Sequence, residues 1–351
     1  MKTLLVIFGG NSSEYTISLR SSASVLKNLD VTKYNIVKVG ITRDGCWRYF
    51  DGDISEIEKN TWFENAVPAT LSPDSSEKAL LIMREGGIEK VKIDVIFPVL
   101  HGKNGEDGTV QGLFELAEIP YVGCGVLGSS MCMDKAVTNV MADAAGIPQA
   151  RWRAFTRAEY DEGSVNLDEI AEYLKYPIFV KPANAGSSVG ISKAHDRAEL
   201  EKALELAFDN DYKAVLEQTL VGREVECAVM GNDKPVASCV GEILPVAEFY
   251  DFDAKYTDNN TGLAIPAELP DGVQDKIRAQ AVKVYRTLNC SGLSRCDFFY
   301  GDDGVIYFNE VNTLPGFTSI SMFPKLFGHE GVAYSDLLDR LVEYALEKHA
   351  K

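Results

Sequence analysis

A chain of 351 residues is longer than one hydrophobic core usually organises, so two or three domains are expected. Hydrophobic residues at 46% and charged residues at 25% are ordinary for a globular protein and exclude extensive disorder. With 35 Lys and Arg against 52 Asp and Glu, the net charge of −17 repels polyanions, so neither nucleic acid nor an anionic membrane is expected as a partner.

The first residues, "MKTLLVIFGGNSSE", carry an apolar run too short for a signal peptide, and a buried strand is the expected element. No later run reaches the roughly 18 apolar residues of a membrane span. Seven scattered cysteines without a CxxC fit reduced thiols in a cytoplasmic protein. After the first strand come helical "SLRSSASVLKNLD", then "NIVKVGITRDGCW" and "IDVIFPVLHG". Strands alternating with helices predict a doubly wound parallel sheet, whose functional loops lie at the strands' carboxyl ends. Both "FGGNSSE" and "VLHGKNGEDG" fall at such ends.

A second region begins near Gly125 with helical "SSMCMDKAVTNVMADAAG". In "YPIFVKPANAGSSVGISKA", Lys181 ends a strand, and Gly186, Ser187, Ser188 and Gly190 follow before the next one. Small residues let backbone N–H groups approach phosphate, although the same segment also reads as a flexible hairpin loop. In "LEQTLVGRE", the carboxylates from Glu217 to Glu224 could accept from an adenine and a ribose, or could line a solvated helix end. The stretch "EFYDFDAKYTDNNTG" predicts a long ordered loop, and "DKIRAQAVKVYRTLN" a helix.

The chain then reads "SRCDFFY", "GDDG" and "VIYFNEVN", a hairpin with a four-residue turn. Pairing Tyr300 with Val305 sets Arg295 opposite Glu310 and Asp297 opposite Phe308, so Arg295, Asp297, Glu310 and Asn312 share one face. Two carboxylates and an amide oxygen suit Mg²⁺ shared with phosphates. The alternative is an ion pair between Arg295 and Glu310 on an exposed sheet.

Taken in order, "FGGNSSEYTISL", "HGKNGEDGTVQG", "MDK", "FVKPANAGSSVGISK", "LEQTLVGREVE", "FYDFDAKY", "SRCDFFY" and "NEVNTLPGFTSISMFP" resemble the D-alanine:D-alanine ligases of the ATP-grasp superfamily over nearly the whole chain. The resemblance implies an α/β protein with α+β character in its ATP-binding part: a parallel-sheet domain over residues 1–125, a small central domain over 126–217 and a catalytic domain over 218–351. It implies an ATP-dependent ligase that activates one D-alanine as an acyl phosphate and joins it to a second for peptidoglycan synthesis. ATP, two Mg²⁺ or Mn²⁺ ions and a homodimer are implied with it.

By the same resemblance, Lys135, Lys181 and Lys255 contact phosphates, with Ser187 and Ser188 in the phosphate loop. Glu217, Leu220, Phe249 and Phe299 surround adenine, and Glu224 binds ribose. Asp297, Glu310 and Asn312 hold the metal ions. Glu14 anchors the first amino acid's ammonium, completed by Ser187 and Tyr256, with His101 and Glu106 nearby. Arg295 and the Gly316 N–H stabilise the oxyanion, Ser321 holds the second carboxylate, and Met322 lines that pocket. For the proton acceptor, His101 and the Tyr256 and Ser187 pair remain alternatives.

The sequence departs from many family members at Tyr15 and Thr16, where a basic and an acidic residue are usual. Tyr15, "HGKNGEDG" and "NTWFE" are similar to one type of vancomycin-resistance D-alanine:D-serine ligase, which keeps D-serine open as second substrate. Met322 resembles the ordinary ligases, and Tyr256 implies an amide rather than an ester product. A non-catalytic ATP-grasp regulator is a further alternative, although no metal ligand or phosphate lysine is missing. The segment 249–262 is expected to act as a lid ordered by ATP and D-alanine.

Overall fold

A computed structural model describes residues 1–186, 189–244, 262–318 and 320–350. Three sheets follow one another along the chain. The first runs in the spatial order β6-β5-β4-β3-β2-β1-β7 and comprises β1 (Lys2–Gly9), β2 (Tyr34–Ile41), β3 (Trp47–Tyr49), β4 (Val67–Leu71), β5 (Ala79–Arg84), β6 (Gly87–Lys92) and β7 (Val95–Val99). β1 is parallel to β2 on one side and to β7 on the other, and the helix Tyr15–Asn28 makes the β1 to β2 crossover. The expected parallel arrangement is thus the three-strand centre β2-β1-β7, while β3 to β6 extend it as an antiparallel meander. The strand order reverses at β1, so the carboxyl ends of β1 and β7 form a crevice where ligands bind in such sheets.

β1 is apolar on both faces because both are covered. Leu5 and Ile7 pack with Phe114 and Tyr121, whereas Leu4, Val6 and Phe8 belong to a cluster completed by Phe323, Leu337, Leu341 and Val342. The helix Tyr334–His349, at the other end of the chain, therefore lies against the helix Tyr15–Asn28 and β7.

The second sheet has the order β10-β9-β11-β8, with β8 (Trp152–Thr156), β9 (Ile178–Pro182), β10 (Ser192–Ala194) and β11 (Lys213–Gln218) all antiparallel. Ile178, Val180, Ala214 and Leu216 turn to the helices Leu167–Leu174 and Arg197–Phe208. The opposite face carries Lys181 and Glu217.

The third sheet, β14-β13-β12-β15-β16, is built from β12 (Gly222–Gly231), β13 (Val236–Leu244), β14 (Gly262–Ala264), β15 (Gly292–Gly301) and β16 (Ile306–Asn312). One face, with Val225, Cys227, Cys296 and Phe298, packs on the helix Val273–Thr287.

The register of the β15/β16 hairpin corrects the sequence expectation. Tyr300 opposes Ile306, not Val305, because the Val305 carbonyl instead accepts from the Gly301 N–H at 2.9 Å inside the turn. Continued regularly, that register would pair Asp297 with Asn309 and turn Glu310 to the helix side. A bulge intervenes: Phe298 opposes Phe308, but Asp297 opposes Glu310 and Arg295 opposes Asn312. Asn309 is the extra residue, and the buried positions of β16 accordingly step from Ile306 and Phe308 to Val311. The four polar residues do share a face, for this reason rather than through regular pairing.

Leu341 is fully buried between the first and last elements of the chain. Leu341→Ala is expected to cost about 2–5 kcal/mol of folding stability, read as a lower urea midpoint at unchanged slope.

Candidate active site

The crevice at β1 and β7 is organised around one carboxylate. Glu14, 4% exposed, ends the "GGNSSE" turn, and its Oε2 accepts from the Ser12 hydroxyl at 2.5 Å and the Ser13 hydroxyl at 2.6 Å. Two glycines press on it from different domains. A Cβ at Gly102, whose φ is +69°, would lie 2.3 Å from Oε2, and one at Gly186 would lie 2.5 Å from Oε1. The positive φ favours glycine at 102, and a side chain at 186 would push against the Glu14 carboxylate that Ser12 and Ser13 hold. Gly186, which follows β9 of the second sheet, therefore lies against the acid that follows β1.

The neighbouring "HGKNGEDG" turn grips the segment after β16. Glu106 accepts from the Gly102 N–H at 2.7 Å and from the Leu314 N–H at 3.0 Å. His101 Nδ1 lies 2.9 Å from the Leu314 carbonyl, so this nitrogen carries the proton and donates. Its Nε2 then accepts from Ser21 Oγ at 3.2 Å, and Ser21 also receives the Phe317 N–H at 3.3 Å. Burial holds the His101 ring below the usual histidine range, hence neutral. Gly316 thus sits between two anchored residues, and a Cβ there would lie 2.8 Å from Ser321 Oγ. Ser321 Oγ in turn accepts from the Thr318 N–H at 2.9 Å. Met322 is buried with its sulfur over Gly241 of β13.

Between the second and third sheets the charges alternate. Lys181 Nζ donates to Glu217 Oε2 at 2.6 Å, both side chains being largely buried. Burial disfavours its charge, but Glu217, with Glu310 and Glu224 beyond it, lifts the amine above the ordinary lysine value. Carboxylates of β11, β12 and β16 therefore all act on one ammonium, and Glu217 of β11 is the one in contact with it. Lys135 Nζ donates to the Ala185 carbonyl at 2.6 Å, joining the helix Lys135–Ala144 to the Gly/Ser loop. Phe299, half-buried, lies opposite Glu224 and Tyr307 on the polar face, and Leu220 connects β11 to β12.

On that face Arg295 donates from Nε to Asp297 Oδ1 at 2.8 Å and from Nη2 to Oδ2 at 2.7 Å. Asn312 Nδ2 donates to Asp297 Oδ2 at 3.0 Å. The alternative ion pair of Arg295 with Glu310 gives way to this bidentate pair with Asp297, since the bulge moves Glu310 opposite Asp297. A second carboxylate, Glu226 of β12, lies 3.0 Å from Arg295 Nε. Burial alone would weaken the guanidinium's charge, yet Asp297 and Glu226 hold it firmly protonated. Glu226 was not singled out from the sequence. Its alternation with Glu224 in "REVEC" is the signal that could have found it.

Among the described residues, Glu226, Asp297 and Glu310 share this face with Arg295, and Glu310 also adds to the field around Lys181. Among the described residues no three His, Cys, Asp or Glu side chains form a ready-made metal cage. Asp297, Glu310 and Asn312 fit a hard cation that takes its remaining oxygens from phosphates and water. Ser187, Ser188, Phe249, Lys255, Tyr256 and the expected lid lie outside the described residues. Tyr15 is placed against "NTWFE": its hydroxyl donates to Asn60 Oδ1 at 2.8 Å and accepts from Trp62 Nε1 at 3.2 Å. Arg43, just beyond the end of β2, stacks on the Tyr15 ring, 4.3 Å from its centroid, and donates to Thr16 Oγ1 at 3.1 Å. No helix among the described residues is long and apolar enough to cross a membrane.

Comparison with known proteins matches residues 3–124 to the D-ala D-ala ligase N-terminus family and residues 141–343 to the D-ala D-ala ligase C-terminus family. A D-alanine--D-alanine ligase of Acetivibrio thermocellus is 50% identical, over 99% of this chain and 96% of that protein. One from Caldicellulosiruptor bescii is 48% identical, over 98% and 95%. Among solved structures, the VanG D-Ala:D-Ser ligase of Enterococcus faecalis superposes with a TM-score of 0.90 at 43% identity, covering 98% of this chain and 99% of that one. The D-alanine-D-alanine ligase of Coxiella burnetii gives 0.86 at 32% identity, covering 99% and 95%.

Burial, with Glu14 and Glu310 nearby, pushes the Glu106 carboxyl up to about 7 despite its two N–H donors. A raised acid is favoured protonated in the fold, so its contribution is complete below an unfolded value of about 4.5 and lost as pH rises through about 7. Glu106→Gln is expected to flatten that part of the profile of melting temperature against pH; a parallel profile for both proteins would refute it.

Proposed function

The chain belongs to the D-alanine–D-alanine ligase family, and we propose that, as an ATP-dependent ligase forming a carbon–nitrogen bond, it makes D-alanyl-D-alanine for peptidoglycan at the site between its sheets. The observation that carries the assignment of residues is the close approach of Gly186 to Glu14. It brings an ammonium-binding carboxylate within reach of a phosphate-binding loop, which is what phosphorylation of an amino acid's carboxylate requires.

The first D-alanine binds with its ammonium on Glu14, whose position is fixed by Ser12, Ser13 and the two glycines. Its carboxylate attacks the γ-phosphorus of ATP, and ADP leaves. Lys135 and Lys181, with Lys255, Ser187 and Ser188, receive the phosphates. Glu217, Leu220, Phe249 and Phe299 hold adenine and Glu224 the ribose. Bound Mg²⁺ or Mn²⁺, two ions in all, would neutralise phosphate charge, held by Asp297, Glu310 and Asn312.

The second amino acid, its carboxylate on Ser321 beside Met322, then attacks the acyl carbon through its amine. Arg295 and the Gly316 N–H stabilise the oxygen that becomes negative, and phosphate departs. His101 has both ring nitrogens engaged, so a role as base requires release of Ser21; Tyr256 with Ser187 is the alternative acceptor. A homodimer fits the exposed side chains of Leu116, Leu127 and Val140, carried on helices that pack side by side.

D-serine as second substrate is the other reading, favoured by the VanG similarity and by the contact of Tyr15 with Asn60 and Trp62. Purified protein given ATP, Mg²⁺ and D-alanine with D-alanine, D-serine or D-lactate, and analysed by chromatography, is expected to yield mainly D-alanyl-D-alanine. Predominance of D-alanyl-D-serine would install the second reading, a D-lactate ester would overturn amide synthesis, and ADP release indifferent to D-alanine would indicate a regulator. Gly186→Ala, which pushes the loop off Glu14, is expected to lower kcat/KM for D-alanine about tenfold or more at unchanged melting temperature.

A further inference from the structure

Asp297 and Arg295 are assigned to different tasks, yet they are bonded to each other. Both carboxylate oxygens of Asp297 are engaged by the guanidinium, from Nε at 2.8 Å and Nη2 at 2.7 Å. A divalent cation coordinated by Asp297 competes for those same oxygens, and it adds positive charge next to a buried arginine. If Asp297 were the guanidinium's sole anchor, loading the cation would release Arg295 at the moment it must face the reacting carbonyl.

Glu226 removes that conflict. It stands opposite Asp297 on the neighbouring strand β12, on the same face of the sheet, with its side chain 5% exposed and its Oε2 3.0 Å from Arg295 Nε. Arg295 itself is 18% exposed, too buried to leave without carboxylate company. Building on the assignments above, we propose that Glu226 is a positioning residue that retains Arg295 in the oxyanion site while Asp297 turns from the guanidinium to the divalent cation. The cation and the arginine share Asp297, and Glu226 sets how strongly the arginine competes. One Glu226 oxygen approaches Nε, so the contact acts through charge, and an amide at 226 keeps the shape but not the attraction.

The test is a cycle of Glu226→Gln, Arg295→Met and the double variant, each with ADP present. Mn²⁺ affinity is read from the free-ion signal in electron paramagnetic resonance, and kcat and KM for ATP are measured separately. Glu226→Gln leaves Asp297 as the remaining carboxylate in contact with the guanidinium among the described residues. Mn²⁺ binding is then expected to weaken about threefold to tenfold and kcat to fall about tenfold, with KM for ATP within a factor of about two. In the Arg295→Met background the Glu226 change is expected to leave Mn²⁺ affinity unmoved, and Glu226→Asp to recover most of it in the parent.

An Mn²⁺ affinity unchanged by Glu226→Gln, or an equal loss with and without Arg295, overturns the proposal. Asp297→Asn separates this from the underlying assignment. If it weakens Mn²⁺ binding while Glu226→Gln does not, only the role of Glu226 falls. If it has no effect, Asp297 is not a metal ligand and both fall together.

Discussion

One inserted residue decides where the charges of this protein stand. Asn309 breaks the alternation of β16, so that Phe308 and Val311 both reach the core while Glu310 and Asn312 turn to the gap between sheets. A strand with period two cannot move its last residues to the other face without such a slip. Without it, a carboxylate would enter the apolar packing around Phe298 and the helix Val273–Thr287 and lose its water there. The bulge thus serves folding and chemistry at once.

The polar face so created is a balance of opposite charges drawn from several strands. Arg295 gains two carboxylate partners and Lys181 gains Glu217, with Glu224 and Glu310 adding to the field around it. Buried cations of this kind stay charged because carboxylates replace the water they lost. Among the described residues carboxylates outnumber cations on the strands of the third sheet, and an incoming polyphosphate with its counterions meets a site whose own charges are already oriented.

Legibility in the sequence followed the range of the interactions. The parallel centre of the first sheet, the strands flanking the Gly/Ser segment and the β15/β16 hairpin could be read from apolar runs and turn residues, because these are local, whereas the antiparallel extension of the first sheet could not. The grouping of Arg295, Asp297, Glu310 and Asn312 on one face was legible too, although its partners were misassigned, since a bulge leaves no mark in composition. Glu226 escaped because its value depends on β12 lying beside β15, a pairing between residues about 70 positions apart. The closure of Gly186 on Glu14 depends likewise on two domains meeting, and "NAGSSVG" alone reads equally as a plain hairpin turn. Residue types disclosed the chemistry, whereas tertiary neighbours disclosed who competes with whom.

The cluster that joins Leu4, Val6 and Phe8 to Leu337, Leu341 and Val342 sets an order on the making of the molecule. As the chain leaves the ribosome, its first strand can pair with β2 and β7 early and the helix Tyr15–Asn28 covers part of one face, but Leu4, Val6 and Phe8 lack the rest of their cluster until the helix Tyr334–His349 has emerged. The nascent protein therefore carries a sticky apolar surface through most of its synthesis, a natural target for chaperones and a site of misassembly if elongation stalls. The same long-range closure spans the two halves of the active site, so the crevice around Glu14 is finished only when the two ends of the described chain have met.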